Sequence, residues 1–202
     1  MTDRARFAQR GRRLEYFTIG WNSLEGLIAV GAGAMAGSVS LVGFGVDSFI
    51  EVTSGVALLW RMAVDADAHR REHRERVTLR IVGVCFLALA AYVTVDAIRD
   101  LVSGAVPAPS QAGILLACAS LIAMPLLSRA KRRVGDAMSS RAMDADATQT
   151  QFCTYLSAIL LGGLALNAAW GWWRADPVAG LIMVPIIVKE GISSLRADPC
   201  CH

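Results

Sequence analysis

Long apolar runs separated by short charged blocks dominate the pattern of this chain. When the charged blocks are taken as boundaries, six apolar spans remain, each close to the roughly 20 residues that a helix needs to cross a bilayer. The spans cover residues 17–36, 38–62, 77–102, 111–128, 147–170 and 175–189. The pattern therefore predicts an all-α integral membrane protein with six transmembrane helices.

Composition agrees with a location in the bilayer. Of the 202 residues, 54% are hydrophobic and 18% are charged, whereas soluble domains carry about a quarter charged residues. No nucleophile–base arrangement and no phosphate-binding loop is recognisable, so no enzymatic activity is predicted. The net charge of +3 gives no reason to expect nucleic-acid binding, because the positions of the basic residues have another explanation.

Basic residues fall almost entirely on one side of the six spans. Of the 20 lysines and arginines, all but Arg99 and Arg174 lie before span one, at or between the facing ends of spans two and three, between spans four and five, or at the end of span six and beyond. Such an excess marks cytoplasmic segments. The sequence therefore predicts cytoplasmic N and C termini in a multi-pass protein of the cell membrane. Residues 1–16 form a basic cytoplasmic segment, 17–193 the transmembrane domain and 194–202 a short cytoplasmic tail.

Two carboxylates interrupt the second span. Asp47 and Glu51, in GFGVDSFIEV, are four residues apart and project from one face of a helix. A charged group in hydrocarbon costs about 2.5–3.5 kcal/mol on insertion scales, and adjacent acids repel each other unless a cation or a proton neutralises them. A metal or proton site is therefore predicted. The alternative is hydrogen bonding to neighbouring helices, or a position near the membrane surface.

A second polar cluster opens the fifth span, in DADATQTQFC. Gln149 lies three residues after Asp146, and Cys153 lies seven residues after it, so the three side chains share one helical face. A carboxylate, an amide oxygen and a thiol could complete a metal site with Asp47 and Glu51 if the two helices touch. The alternative is a helix start whose acids favour the helix dipole, with a cysteine that merely packs.

Histidines appear in the basic connection between spans two and three. His69 and His73 are four residues apart in DADAHRREHRERV, with Asp67 just before them. Two histidines on one helical face with a nearby carboxylate have zinc-ligand spacing. The alternative is a solvated charged loop, in which the neighbouring arginines repel a cation.

The remaining polar residues and glycines of the spans have simpler interpretations. Interhelical hydrogen bonds are expected for Asn22, Glu25, Asp96, Asp100 and Asn167. The glycines of GLIAVGAGAMAG are expected to let two helices approach closely.

These motifs resemble those of the cation diffusion facilitator transporters. GSVSLVGFGVDSFIEVTSG is similar to the join between their first two transmembrane helices, where D-S-x-x-D matches Asp47 and Glu51. Their fifth helix carries A-D-x-x-H-x-x-x-D, which places Asp146 on its first aspartate, Gln149 on its histidine and Cys153 on its second aspartate. GWWRADPVAGLIM resembles their turn into helix six.

The resemblance implies a homodimeric carrier that exports cytoplasmic divalent metal in exchange for protons. Its intramembrane site, between helices two and five, would contain Asp47, Glu51, Asp146, Gln149 and Cys153. Zinc is favoured as the substrate, with cobalt, iron, manganese and cadmium as alternatives. His69 and His73 match the spacing of a second site that members of the family often carry between helices two and three, with Asp67 as a further ligand.

This sequence departs from the family pattern in two ways. Glutamine and cysteine replace the histidine and second aspartate of helix five, and the resemblance ends where the usual cytoplasmic domain would begin. The rival interpretation is therefore a non-transporting, metal-binding or regulatory membrane partner with a degenerate transport site.

Overall fold

The chain folds into six α-helices joined by short connections. The structure, a computed structural model, describes residues 3–62, 68–104, 106, 108, 110–138 and 140–196, and these contain no β-strand. The helices are α1 (Asp3–Ala36), α2 (Val39–Met62), α3 (Ala68–Ser103), α4 (Gln111–Met138), α5 (Arg141–Trp170) and α6 (Ala175–Arg196). The predicted all-α architecture is confirmed.

Five of the helices are long and apolar enough to cross a membrane. These stretches are Val39–Trp60, Leu79–Ser103, Gln111–Met138, Asp146–Trp170 and Ala175–Arg196. α1 is not among them, because Asn22 and Glu25 interrupt its apolar residues. The chain is thus a multi-pass membrane protein, and the crossing of α1 and the cytoplasmic side of the termini remain predictions.

Several helices extend well beyond the predicted spans into charged sequence. α1 begins at Asp3, α3 at Ala68 and α5 at Arg141, while α4 continues to Met138. Hydropathy locates the apolar part of a helix, whereas the helix itself ends where backbone hydrogen bonding stops. Charged residues assigned to connections therefore lie on helices, with a definite register towards the interior.

α2 occupies the centre of the molecule. α1, α2, α4 and α5 pack as a four-helix bundle, while α3 and α6 pair beside it and contact α2. In α2, 61% of the most apolar window is buried, against 33–39% in the other four apolar helices. The helix that carries Asp47 and Glu51 is therefore surrounded by protein rather than by lipid.

Glycines bring α1 and α2 into close contact. A Cβ atom on Gly33 would lie 2.8 Å from the amide nitrogen of Val42, and one on Gly45 would lie 2.8 Å from that of Val30. Gly26 likewise faces the carbonyl of Gly45. The expected close approach of two helices is confirmed at these positions. It is not found at Gly31 or Gly37, where a Cβ atom would meet no atom of a neighbouring described residue within 4 Å.

A buried aspartate ties the α1–α2 turn to α6. Asp176 accepts hydrogen bonds from the hydroxyl groups of Ser38, at 2.7 Å, and Ser40. It lies in the first turn of α6, where a carboxylate is stabilised by the helix dipole. The segments GSVS and RADP, which are distant in sequence, therefore form one structural unit.

Candidate functional site

The acid pair of α2 lies inside the four-helix bundle. The exposed fraction is 4% for Asp47 and 1% for Glu51. Oε1 of Glu51 accepts a 2.5 Å hydrogen bond from the hydroxyl group of Thr150 on α5. Oε2 of Glu51 is buried and has no hydrogen-bond partner among the described residues. Glu51 therefore faces α5, as the proposed contact between spans two and five requires.

α1 adds a third carboxyl group beside this pair. Oε2 of Glu25 accepts a 3.0 Å hydrogen bond from the hydroxyl group of Ser48, so the predicted interhelical hydrogen bond is confirmed. Oε1 of Glu25 is buried and finds no partner in the described part of the chain. The neighbouring charges that act on Glu25 are those of Glu51 and Asp47. Glu25 therefore belongs to the same cluster as the α2 pair.

α5 turns Gln149 and Cys153 towards the interior of the bundle. Both side chains are buried, and the charges of Glu51, Glu25 and Asp47 act on the Cys153 thiol. The amide nitrogen of Gln149 lacks a hydrogen-bond partner among the residues that the structure describes. The face of α5 that carries these two residues thus turns inward, as their spacing predicts.

Asp146 lies about one turn before Gln149 on α5, and its carboxylate interacts with α4 and α2 residues outside the acid pair. Its Oδ2 atom forms a buried ion pair with Nζ of Lys131, on α4. Its Oδ1 atom accepts a hydrogen bond of 3.3 Å from the hydroxyl group of Ser54, on α2. In this conformation the carboxylate is therefore neutralised by an ammonium group.

Lys131 and Glu15 are residues that the hydropathy pattern misplaces. It assigns Lys131 to a charged connection and Glu15 to the basic N-terminal segment, yet both side chains are fully buried. Nζ of Lys131 lies 3.3 Å from Oε2 of Glu15. Their positions along the helix could have identified them as buried, because each lies on the same helical face as other buried residues. Lys131 follows Met124, Leu127 and Ser128 on α4, and Glu15 precedes Thr18, Asn22 and Glu25 on α1.

Some of the buried polar atoms that lack a hydrogen-bond partner among the described residues belong to residues around the α2 pair. They are Oε1 of Glu25, Oε2 of Glu51, Nε2 of Gln149 and both amide atoms of Asn22, a residue that lies beside Glu51. Buried polar atoms are normally hydrogen-bonded, so a group of unpaired oxygens beside clustered carboxyl groups suits a cation. Within the described ranges, however, no three His, Cys, Asp or Glu side chains converge closely enough to hold a metal ion. Binding would require a shift of these helices.

The second predicted site is only partly covered by the structure. Asp67 lies outside the described residues. His69 and His73 lie on α3, one helical turn apart, and their side chains are likewise outside the described part. The helical spacing of the two histidines is therefore confirmed, and metal binding there stays a prediction.

Comparison with known proteins relates the whole bundle to one family. The family described as "Cation efflux transmembrane domain" matches residues 18–198. Transmembrane protein 163 of Xenopus laevis is 27% identical over 183 residues, which are 90% of this chain and 65% of that protein. An uncharacterized transporter of Methanocaldococcus jannaschii is 24% identical over 174 residues, 83% of this chain and 61% of that protein. The chain thus spans less than two thirds of the length of either relative.

Proposed function

Because the chain belongs to the cation efflux family, whose members are metal cation transporters, we propose that it carries a divalent metal cation across a membrane. Zinc is the favoured substrate, exported from the cytoplasm in exchange for protons. The strongest support is the position of Asp47 and Glu51, buried at the centre of the bundle beside polar atoms that lack partners. A cation held there would satisfy both the clustered carboxyl groups and the unpaired oxygens.

The cation would be held between α2 and α5. Asp47 and Glu51 supply carboxylate oxygens, Cys153 a thiolate, and Gln149 its amide oxygen, all of them donors that zinc accepts. Asp146 is the remaining ligand of the set, available once Lys131 releases it. A small displacement of α5 against α2 would bring these donors together.

Proton exchange follows from the chemistry of the same donors. Metal binding requires deprotonated carboxyl and thiol groups, so the arrival of a cation releases protons. After the metal leaves on the far side, protons neutralise the same groups. The charge that crosses the bilayer with the moving helices therefore stays small, which lowers the cost of each crossing.

Family membership also supports a wider proposal about the assembly. The transporter would act as a homodimer in the cell membrane, with His69, His73 and Asp67 forming a second zinc site outside the bilayer. The helical spacing of the two histidines is compatible with such a site. Light scattering of the detergent-solubilised protein tests the dimer, and zinc stoichiometry in H69A/H73A tests the second site.

Transport in liposomes tests the central proposal. The purified chain is reconstituted, a pH gradient is imposed, and uptake of Zn²⁺, Co²⁺ and Mn²⁺ is compared for wild type and D47N/E51Q. D96N/D100N is the matched control, because Asp96 and Asp100 are also four residues apart, on α3, and only half-buried.

Gradient-driven zinc uptake that survives in D96N/D100N and disappears in D47N/E51Q is the expected result. Unchanged uptake in D47N/E51Q would show that Asp47 and Glu51 do not hold the transported cation. A folded protein that binds zinc but moves none would instead support the regulatory membrane partner. The ion pair of Asp146 with Lys131 makes that rival worth testing, because it occupies one of the expected ligands.

A further inference from the structure

A buried ammonium group already occupies a cation-binding position inside the bundle. Lys131 reaches from α4 between Glu15 of α1 and Asp146 of α5, and all three side chains are almost fully buried. The hydroxyl group of Ser54, on α2, holds the second oxygen of Asp146 at 3.3 Å. Four helices therefore contribute to a polar site whose cation is the side chain of the protein itself.

The carboxyl group of Glu15 can bind the ammonium group of Lys131 more closely than it does in this structure. Its Oε1 atom is buried and has no hydrogen-bond partner among the described residues, while Oε2 lies 3.3 Å from Lys131. Gly55 makes room for the carboxyl group, since a Cβ atom there would lie 3.2 Å from Oε2. Glu15 thus offers Lys131 a second position when Asp146 is not available.

The ammonium group of Lys131 interacts electrostatically with Glu51, one member of the acid pair of α2. Asp146 is one turn before Thr150, whose hydroxyl group donates to Glu51, and the charge of Lys131 acts on Glu51. A divalent cation at Glu51 therefore repels the ammonium group and attracts the carboxylate of Asp146. The cation and Lys131 compete for Asp146, because each weakens the hold of the other when two positive charges approach one carboxylate.

We propose, on the premise that the chain transports a metal cation, that Lys131 is a built-in competitor of that cation for Asp146. Without metal, the ammonium group holds Asp146 away from Asp47 and Glu51. When metal binds the α2 pair, the ammonium group moves onto Glu15, and Asp146 becomes a metal ligand. Metal occupancy is thereby coupled to the contacts among α1, α4 and α5, which are the helices that these three residues join.

The competition predicts opposite effects for two neutralising substitutions. K131Q removes the competitor and should tighten zinc binding by about tenfold or more, because an opposing charge is lost next to the site. E15Q removes the second position of the ammonium group and should weaken zinc binding by about fivefold to tenfold, at the lower end of the usual range of coupling between sites. If Lys131 only clamped the helices together, both substitutions would weaken binding.

Equilibrium zinc titration of the full chain in detergent, against a competing chelator, measures these affinities. K189Q is the control for loss of a lysine charge, since Lys189 is the other lysine of the chain and is exposed. K131R keeps the charge and should bind zinc as wild type does. K131Q/D146N lacks the contested carboxylate and should lose the gain seen in K131Q.

The two affinity shifts decide the proposal. Tighter binding by K131Q together with weaker binding by E15Q supports the competition. Equal or weaker binding by K131Q, in a protein whose zinc binding still depends on Asp47 and Glu51, overturns it and leaves the transport proposal intact. If neither wild type nor K131Q binds zinc, both proposals fall. If K131Q does not fold, E15Q decides alone, and unchanged or tighter binding by that variant overturns the competition.

Discussion

Thr150 donates a 2.5 Å hydrogen bond from its hydroxyl group to Oε1 of Glu51, and so links α5 to α2 at the centre of the bundle. Both residues are buried, and the bond leaves Oε2 of Glu51 without a partner among the described residues. One oxygen of Glu51 is thus held by Thr150, and the other, which lacks a close partner, can accept a cation. Thr150 therefore orients the carboxylate that the transport proposal requires.

Substitution of this threonine should reduce both stability and zinc affinity. T150V keeps the shape of the side chain but removes the donor, which should cost about 1.5–3 kcal/mol, the usual range for a hydrogen bond to a charged group. T148V is the control, because Thr148 lies on the same helix, is half-buried and donates its hydrogen bond within its own helix, to the carbonyl of Asp144. Thermal unfolding in detergent, with and without zinc, measures the difference. Equal unfolding temperatures for the two variants would contradict the role given to Thr150.

The close approach of α1 and α2 predicts a contrast between neighbouring glycines. G33A should lower the unfolding temperature, because the new Cβ atom would lie 2.8 Å from the amide nitrogen of Val42. G31A should be neutral or slightly stabilising, since no described atom lies within 4 Å and alanine favours a helix over glycine by about 1 kcal/mol. Similar destabilisation in both variants would mean that the two helices are not packed as described.

Asp176 should be energetically coupled to the serines of the α1–α2 turn. Its hydrogen bonds with Ser38 and Ser40 are buried, so D176A and S40A should each destabilise the protein. In a double-mutant cycle the two losses should overlap by about 0.5–3 kcal/mol, as expected for residues in contact. S103A serves as the control serine, because Ser103 is exposed and bonds within its own helix. Additive losses for D176A and S40A would refute this link.

The cytoplasmic location of the basic residues can be tested by labelling. Arg12 and Arg174 are both exposed and belong to opposite predicted sides of the membrane. Residual labelling of the native cysteines is measured in the unsubstituted protein. A membrane-impermeant maleimide should modify R174C in intact cells and R12C only after permeabilisation. The reverse pattern would invert the predicted orientation, and with it the predicted direction of export.

Sequence alone predicts the helices and the inward faces of α2 and α5 well. Charged blocks and a period of 3.6 residues carry that information, so the burial of Asp47, Glu51 and Cys153 could be anticipated. The pairing of Asp146 could not, because it depends on which face α4 turns to α5. Lys131 stands among arginines in the sequence, and only the packed register distinguishes its buried position from their positions.

A diffraction experiment tests the proposed site most directly. Crystals grown with zinc should show an anomalous peak in the bundle, with Asp47 and Glu51 as ligands at the usual zinc–oxygen distance of about 2.0–2.2 Å. The same map would show Cys153 drawn towards the ion, and the peak should be missing in D47N/E51Q. Zinc peaks only at the histidines of α3 or at the protein surface, from a protein that still transports zinc, would contradict the account.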